Sequence, residues 1–408
     1  MNHIWNRQWH NFERDGRTDN WKVGPELRDR ISKARRVHFN INRFSLNVFD
    51  IVKGTKSKGY LVDSKGLKQL TAMVRYCYKN GLSLLPVLMS GGDPGISKYD
   101  PTLLGPSRLS SFMKDYWGRC GALVHAIARE LLDSDLRPKG AYQNLIAYEI
   151  ENEINHGIHH PFWDDFGSFH DHGIDLLVGG SLSVRSAELE VFKELDLHAS
   201  PRPIVVNWDF DYPLFLRNEI NPLHYDKKVD MTVDIMVKDF NRLIEAGALV
   251  DIIGLDVYPD LGSRGPFGGG RGYTNISITD SVHIVDRLCS SFKGKKIAVT
   301  ETGRSEYNAL HIKDQRSQQD FYTQSIEQFR ALHQKHERNG TGNFLGVVYY
   351  EWKDPLSRGL ENMADWTFWR KEKNFGIFDE HMRPKQVYEH LRDTLDWSRF
   401  RTGPSSKR

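Results

Sequence analysis

Two glutamates close two apolar runs of this chain. The first run is Ala147-Tyr148-Glu149-Ile150-Glu151-Asn152-Glu153, followed by Ile154-Asn155-His156-Gly157. The second is Ile297-Ala298-Val299-Thr300-Glu301, followed by Thr302-Gly303. Carboxyl groups in pairs can cleave an acetal such as a glycosidic bond. Positive charge builds at the anomeric carbon, where a carboxylate on one face can trap it. A protonated carboxyl on the other side hands its proton to the leaving oxygen. In enzymes that retain configuration the two groups sit roughly 5–5.5 Å apart. The ionised nucleophile also keeps its partner protonated, because like charges disfavour ionisation. Glu153 is the candidate acid/base and Glu301 the candidate nucleophile. The Asn152 amide suits a sugar 2-hydroxyl, a contact that strengthens in the transition state. One Asn-Glu at a strand end is usually solvated or ion-paired; it is the second glutamate, in the right order, that turns the reading toward catalysis.

Positioning these groups falls to a repeated pattern. Apolar runs fit strands over residues 37–46, 83–89, 145–150, 204–208, 252–257, 296–300 and 344–350, with a weaker one over 3–7. Helix-like periodicity fills residues 65–80, 109–132, 174–197, 232–246, 280–292, 314–338 and 383–395. Strand–helix alternation predicts a parallel sheet with helical crossovers. Seven or eight units predict a single (β/α)8 TIM barrel over residues 1–396. Strands four and seven face each other across the mouth of such a barrel, which would bring Glu153 and Glu301 together. Strand alternation puts Glu149, Glu151 and Glu153 on one face. Glu153 is preferred as the most C-terminal and the one preceded by Asn. Glu149 and Glu151 are then expected to point into the barrel or to pair with Arg43. No linker divides the chain. Residues 261–275 read as a loop forming a cleft wall, and the basic tail 397–408 is expected to be disordered.

Composition narrows the partners. The chain has 408 residues, 39% hydrophobic and 27% charged, as in an ordinary globular protein. A net charge of +3 is too small to argue for nucleic acid. No apolar run reaches membrane-spanning length and no signal-peptide core is seen, so the expectation is a cytoplasmic protein with no membrane partner. Ten Trp and sixteen Tyr suit a carbohydrate ligand, whose apolar ring faces stack on aromatic rings, though they also suit a large aromatic core. Trp163, Trp208, Trp352, Trp366 and Trp369 are expected on loops at the catalytic face, with Trp208, Trp352 and Trp366 as sugar contacts. Cys77, Cys120 and Cys289 read as buried free thiols. His156, His159, His160, His170 and His172 crowd the loop after Glu153. Lacking HExxH or CxxC spacing, they read as a polar cleft wall, with His156 toward substrate hydroxyls. No metal and no cofactor are called for.

Several islands resemble the clan of retaining (β/α)8 glycoside hydrolases whose catalytic glutamates follow strands four and seven. Within it the chain looks most like a divergent, short relative of glycoside hydrolase family 1. Asn42-Arg43-Phe44-Ser45 resembles that family's strand-two motif and implies that Arg43 contacts the nucleophile. Gln8, with Trp9-His10 and Asp15-Gly16-Arg17 after it, resembles the first-strand segment and becomes a candidate sugar ligand. Residues 251–258 resemble the strand-six motif, which implies Tyr258 near the nucleophile. Thr300-Glu301-Thr302-Gly303 is similar to Thr-Glu-Asn-Gly, and Tyr350-Glu351-Trp352 to the strand-eight ending, with Trp352 as sugar platform. The chain also departs from the family. Ile154 replaces the Pro after Asn-Glu, and Asn152-Glu153-Ile154-Asn155 looks more like the endo-galactanase family of the clan. The His expected after strand three is absent, and the strand-six Asn is Asp256. Three readings are open: a retaining β-glycosidase, an endo-acting β-glycanase of galactanase or mannanase type, and a catalytically silent carbohydrate-binding barrel. The sequence sets neither the sugar nor the oligomeric state.

Overall fold

A computed structural model describes residues 12–14, 21–46, 48–55, 57–89, 106–133, 140–155, 171–210, 225–259, 277–306, 313–351, 354, 374–379 and 381–395. The antiparallel pair β1 (Phe12–Arg14) and β2 (Trp21–Val23) leads into α1 (Pro25–Arg36). Then β3 (Ile41–Ser45) opens the main sheet. The short α2 (Val48–Ile51) and an antiparallel hairpin, β4 (Val52–Thr55) with β5 (Gly59–Val62), precede α3 (Ser64–Lys79). From there strand and helix alternate: β6 (Ser83–Val87), α4 (Pro106–Leu132), β7 (Tyr148–Glu149), α5 (Asp171–Glu194), β8 (Ile204–Asp209), α6 (Tyr225–Glu245) and β9 (Ile252–Asp256). The series closes with α7 (Ile278–Ser291), β10 (Lys296–Thr302), α8 (Gln315–Arg338), β11 (Phe344–Tyr349) and α9 (Gln386–Asp393).

Seven strands lie side by side in chain order, β3-β6-β7-β8-β9-β10-β11, every neighbouring pair parallel. The last strand comes back against the first, so the sheet curls into a nearly closed barrel with helices outside. This is the TIM-barrel architecture that the alternation predicts. The weak strand over 3–7, the loop 261–275 and the tail 397–408 lie outside the described residues.

Local chemistry explains the helices. Asp63 caps α3 by accepting from the Gly66 N–H at 2.9 Å. Leu70, Met73, Val74 and Cys77, spaced three and four apart, then form its buried stripe. Each large apolar side chain so buried contributes about 1.5–3 kcal/mol. A reciprocal capping box of Ser277 and Asp280 starts α7. Strands β8 and β9 are buried at every residue, as expected where helices cover one face and side chains fill the other. Leu85, Ala147, Val205 and Ile252 pack inside the barrel, apart from the larger core between sheet and helices. All three cysteines are free and buried.

The expected elements are present with shifted ends. The run 37–46 becomes a strand only from Ile41, and 145–150 shrinks to Tyr148–Glu149. Helix α1 and the two hairpins were not among the elements predicted. Pro25 at the first turn of α1 was the available signal.

Candidate active site

The site forms where the C-terminal ends of β3, β7, β8, β9 and β10 converge. Strand pairing in β7 stops at Glu149, so alternation no longer governs the residues beyond it. Glu149 turns inward, to Arg43. Glu151 is fully buried and lies near Tyr116 and Cys120 of α4. Glu153 is reached through a backbone with φ +47°, a left-handed conformation that a glutamate seldom adopts. Three hydrogen bonds hold this turn. The Glu153 N–H donates to Asn207 Oδ1 at 2.6 Å, Asn155 Nδ2 donates to the Asp209 carbonyl at 2.6 Å, and the Asp209 N–H donates to Asn155 Oδ1 at 2.7 Å. The end of β8 thus fixes the acid/base candidate.

Arg43, on β3 and 1% exposed, organises the opposite wall. Its Nε donates to Glu149 Oε2 at 2.7 Å, and its Nη2 bonds Glu149 Oε1 and Asn152 Oδ1. Nη1 bonds Glu301 Oε1. Tyr258, just past β9, donates its hydroxyl to the other oxygen, Oε2. Glu301 is therefore held at both oxygens by donors. With the Asn152 oxygen engaged by Arg43, Nδ2 is the end of that amide with protons to offer. The Tyr258 ring stands edge-on to Tyr350 and Phe375, centroids 6.0 and 5.7 Å away, which fixes its hydroxyl.

Gly303 completes the end of β10. A Cβ there would lie 2.0 Å from the Tyr350 carbonyl oxygen. Close packing of two backbones is what requires glycine here.

A third carboxyl, Asp256 at the end of β9, joins the two glutamates. One carboxylate oxygen from each of Glu153, Asp256 and Glu301 lies within 4.8 Å of the others. Asn207 Nδ2 and Thr300 Oγ1 both donate to Asp256 Oδ1, at 2.7 Å each, and Asn207 Nδ2 also reaches Thr300 Oγ1 at 2.6 Å. Burial, then the charges of Asp209, Asp256 and Glu301, push the Glu153 carboxyl well above the usual carboxylate range, with Arg43 opposing. Asp256 moves the same way, through burial first and Glu301 next. Burial works against the Arg43 charge, yet Glu149, Glu301 and Asp256 hold its proton on more firmly than in an ordinary arginine. A protonated carboxyl beside an ionised one is what general-acid chemistry requires.

Of the residues singled out in the sequence, Arg43, Asn152, Glu153, Tyr258 and Glu301 come together. Trp208 does not join them. It lies within β8 rather than on a loop, fully buried, with its ring 6.5 Å from Phe210. It is a core residue here, because β8 continues to Asp209 before the chain leaves the sheet. Gln8, His156, Trp163, Trp352, Trp366 and Trp369 lie outside the described residues, as do the other histidines of the loop after Glu153 apart from His172 at the start of α5, whose side chain is likewise outside them. Sequence reasoning missed Asn207, Asp209 and Thr300. The signal was available: polar residues breaking the apolar runs of β8 and β10 near their C-terminal ends. The Glu153–Asp256–Glu301 triangle has oxygen donors a hard cation accepts, with Arg43 already bonded to one of them. A second grouping, His125 with Glu190 and Glu194, lies on the outer surface, where Arg129 also pairs with Glu194.

No protein-family model and no curated protein sequence matches the chain. Solved structures do. The apo structure of a β-glucosidase designated 1317 is 13% identical, with a TM-score of 0.55 over 89% of this chain and 85% of that one. The β-glucosidase from Thermotoga maritima in complex with glucoimidazole is 12% identical, with a TM-score of 0.54 over 90% and 86%. The Ignisphaera aggregans GH53 catalytic domain is 15% identical, with a TM-score of 0.50 over 89% and 87%. The fold is thus that of TIM-barrel glycoside hydrolases, spanned over nearly its whole length. Among the described residues, no helix is long and apolar enough to cross a membrane.

Proposed function

We propose that this chain is a retaining β-glycosidase of the clan whose catalytic glutamates follow strands four and seven. The observation that carries the reading is the approach of a Glu153 and a Glu301 oxygen to within 4.8 Å. That separation suits direct attack by one carboxylate, whereas inverting enzymes leave roughly 6.5–9.5 Å for a water. Glu301 attacks the anomeric carbon while Glu153 gives its proton to the leaving oxygen. A covalent glycosyl-enzyme forms on Glu301. Glu153, now a carboxylate, takes a proton from water, which attacks the same carbon and releases Glu301. Arg43 and Tyr258 aim the nucleophile, and Asn152 offers its amide protons to the sugar.

Glu301→Ala should abolish turnover of an activated aryl β-glycoside, with activity returning as the glycosyl azide when azide is supplied. Wild-type activity in that variant would overturn the reading. The endo-acting alternative draws support from Asn155 of the Asn-Glu-Ile-Asn run, whose side chain is built into the turn that carries Glu153. A product ladder from a β-linked oligosaccharide separates the two. Release of single sugars only would exclude it.

A further inference from the structure

Asp256 is more acidic machinery than a glycosidase pair requires. It is fully buried, and among the described residues its Oδ2 has no hydrogen-bond partner. Its other oxygen is gripped by Asn207 and Thr300. Gly254 makes room for that grip, since a Cβ there would stand 2.9 Å from Thr300 Oγ1. Burying a carboxyl oxygen without a donor makes its charged form costly.

The charges around it explain the use. Asp256 faces Arg43 of β3, Glu149 of β7, Glu153 in the turn after β7, Asn207 and Asp209 of β8, Tyr258 after β9, and Thr300 and Glu301 of β10. Arg43 is the one cation among them, and Glu149 and Glu301 already share it. Glu153 and Asp256 cannot then both be ionised at low cost. A single proton held between two carboxyls is the low-energy state of such a pair, and its removal leaves adjacent uncompensated charges.

We infer that Asp256 is a positioning residue of the reaction, a buried carboxyl that keeps the proton on Glu153 between turnovers. This rests on the reading of Glu153 as acid/base. In kcat/KM against pH, the basic limb reports loss of the proton from the free enzyme's acid. Glu153→Ala should flatten that limb with an activated aryl glycoside. In Asp256→Asn, the limb should move down by about one pH unit, because Glu153 then titrates without its charged partner. Thr300→Val, which withdraws a donor from Asp256, should move it up while the plateau falls. A structural role alone would lower activity without moving the limb. If the limb vanishes in Glu153→Ala but stays within about 0.2 pH unit in a folded Asp256→Asn or Thr300→Val, the inference fails by itself. If the limb survives in Glu153→Ala, the assignment of the acid fails and takes the role of Asp256 with it.

Discussion

The guanidinium of Arg43 bonds Glu301 through Nη1 while Glu149 holds its far edge through Nε and Nη2. The nucleophile candidate is therefore aimed by a cation that is itself clamped. Breaking a buried pair from one side leaves an uncompensated charge and costs about 3–5 kcal/mol. Glu149→Ala should lose stability on that scale in urea unfolding, and turnover with it. Glu149→Gln, which keeps the shape, should lose less. An unfolding midpoint for Glu149→Ala equal to wild type would show that the clamp contributes nothing.

Tyr258→Phe removes a donor to Glu301 and leaves the ring packing against Tyr350 and Phe375 intact. Hydrogen bonds to charged groups are worth about 1.5–3 kcal/mol. Turnover should fall on the order of 10- to 100-fold, with the fold unchanged by circular dichroism. Unaltered kinetics would separate Tyr258 from the nucleophile.

Gly303→Ala should be poorly tolerated. The new Cβ would meet the Tyr350 carbonyl oxygen at 2.0 Å and a Phe375 ring carbon at 2.9 Å, so β10 and the chain beyond β11 must part. Overpacking of this kind costs about 1–3 kcal/mol. Because Glu301 sits two residues earlier, activity should fall further than stability. A calorimetric Tm within a degree of wild type would contradict the close packing.

Stability should decline from mildly acidic to neutral pH. Burial pushes the Asp354 carboxyl up to about 7, against the opposing pull of Lys385, which bonds it at 2.7 Å, and of the Gly376 N–H. Between the unfolded value near 4 and this folded value the native state binds the extra proton. The contribution of Asp354 then falls as pH rises, by at most about 1.4 kcal/mol per unit, and levels off above pH 7. The raised carboxyls of Glu153 and Asp256 act with the same sign. Urea unfolding of wild type and Asp354→Asn across pH 5–8 checks this. The variant should show the shallower decline, and parallel curves would remove Asp354 as its source.

Much of this was legible in the chain itself. Period-two and period-3.6 patterns are local, so the order of strands and helices, and hence the barrel, can be read from neighbours in sequence. Glu153 and Glu301 are marked as candidates in the same way, by ending apolar runs, whereas Arg43 and Tyr258 were pointed to by resemblance to a family's motifs. What only the tertiary structure decided are relations between residues far apart in the chain. Alternation would have set Glu149, Glu151 and Glu153 on one face, but β7 ends at Glu149 and the three diverge to Arg43, to α4 and to the carboxyls of Asp256 and Glu301. Trp208 looked available to a ligand and is core, since exposure depends on what covers a strand rather than on residue type. Asp256 looked like a substitution of one polar residue for another. Only the convergence of β7, β9 and β10 makes it a third carboxyl beside Glu153 and Glu301, because charge coupling acts through distance in space and not through position in sequence.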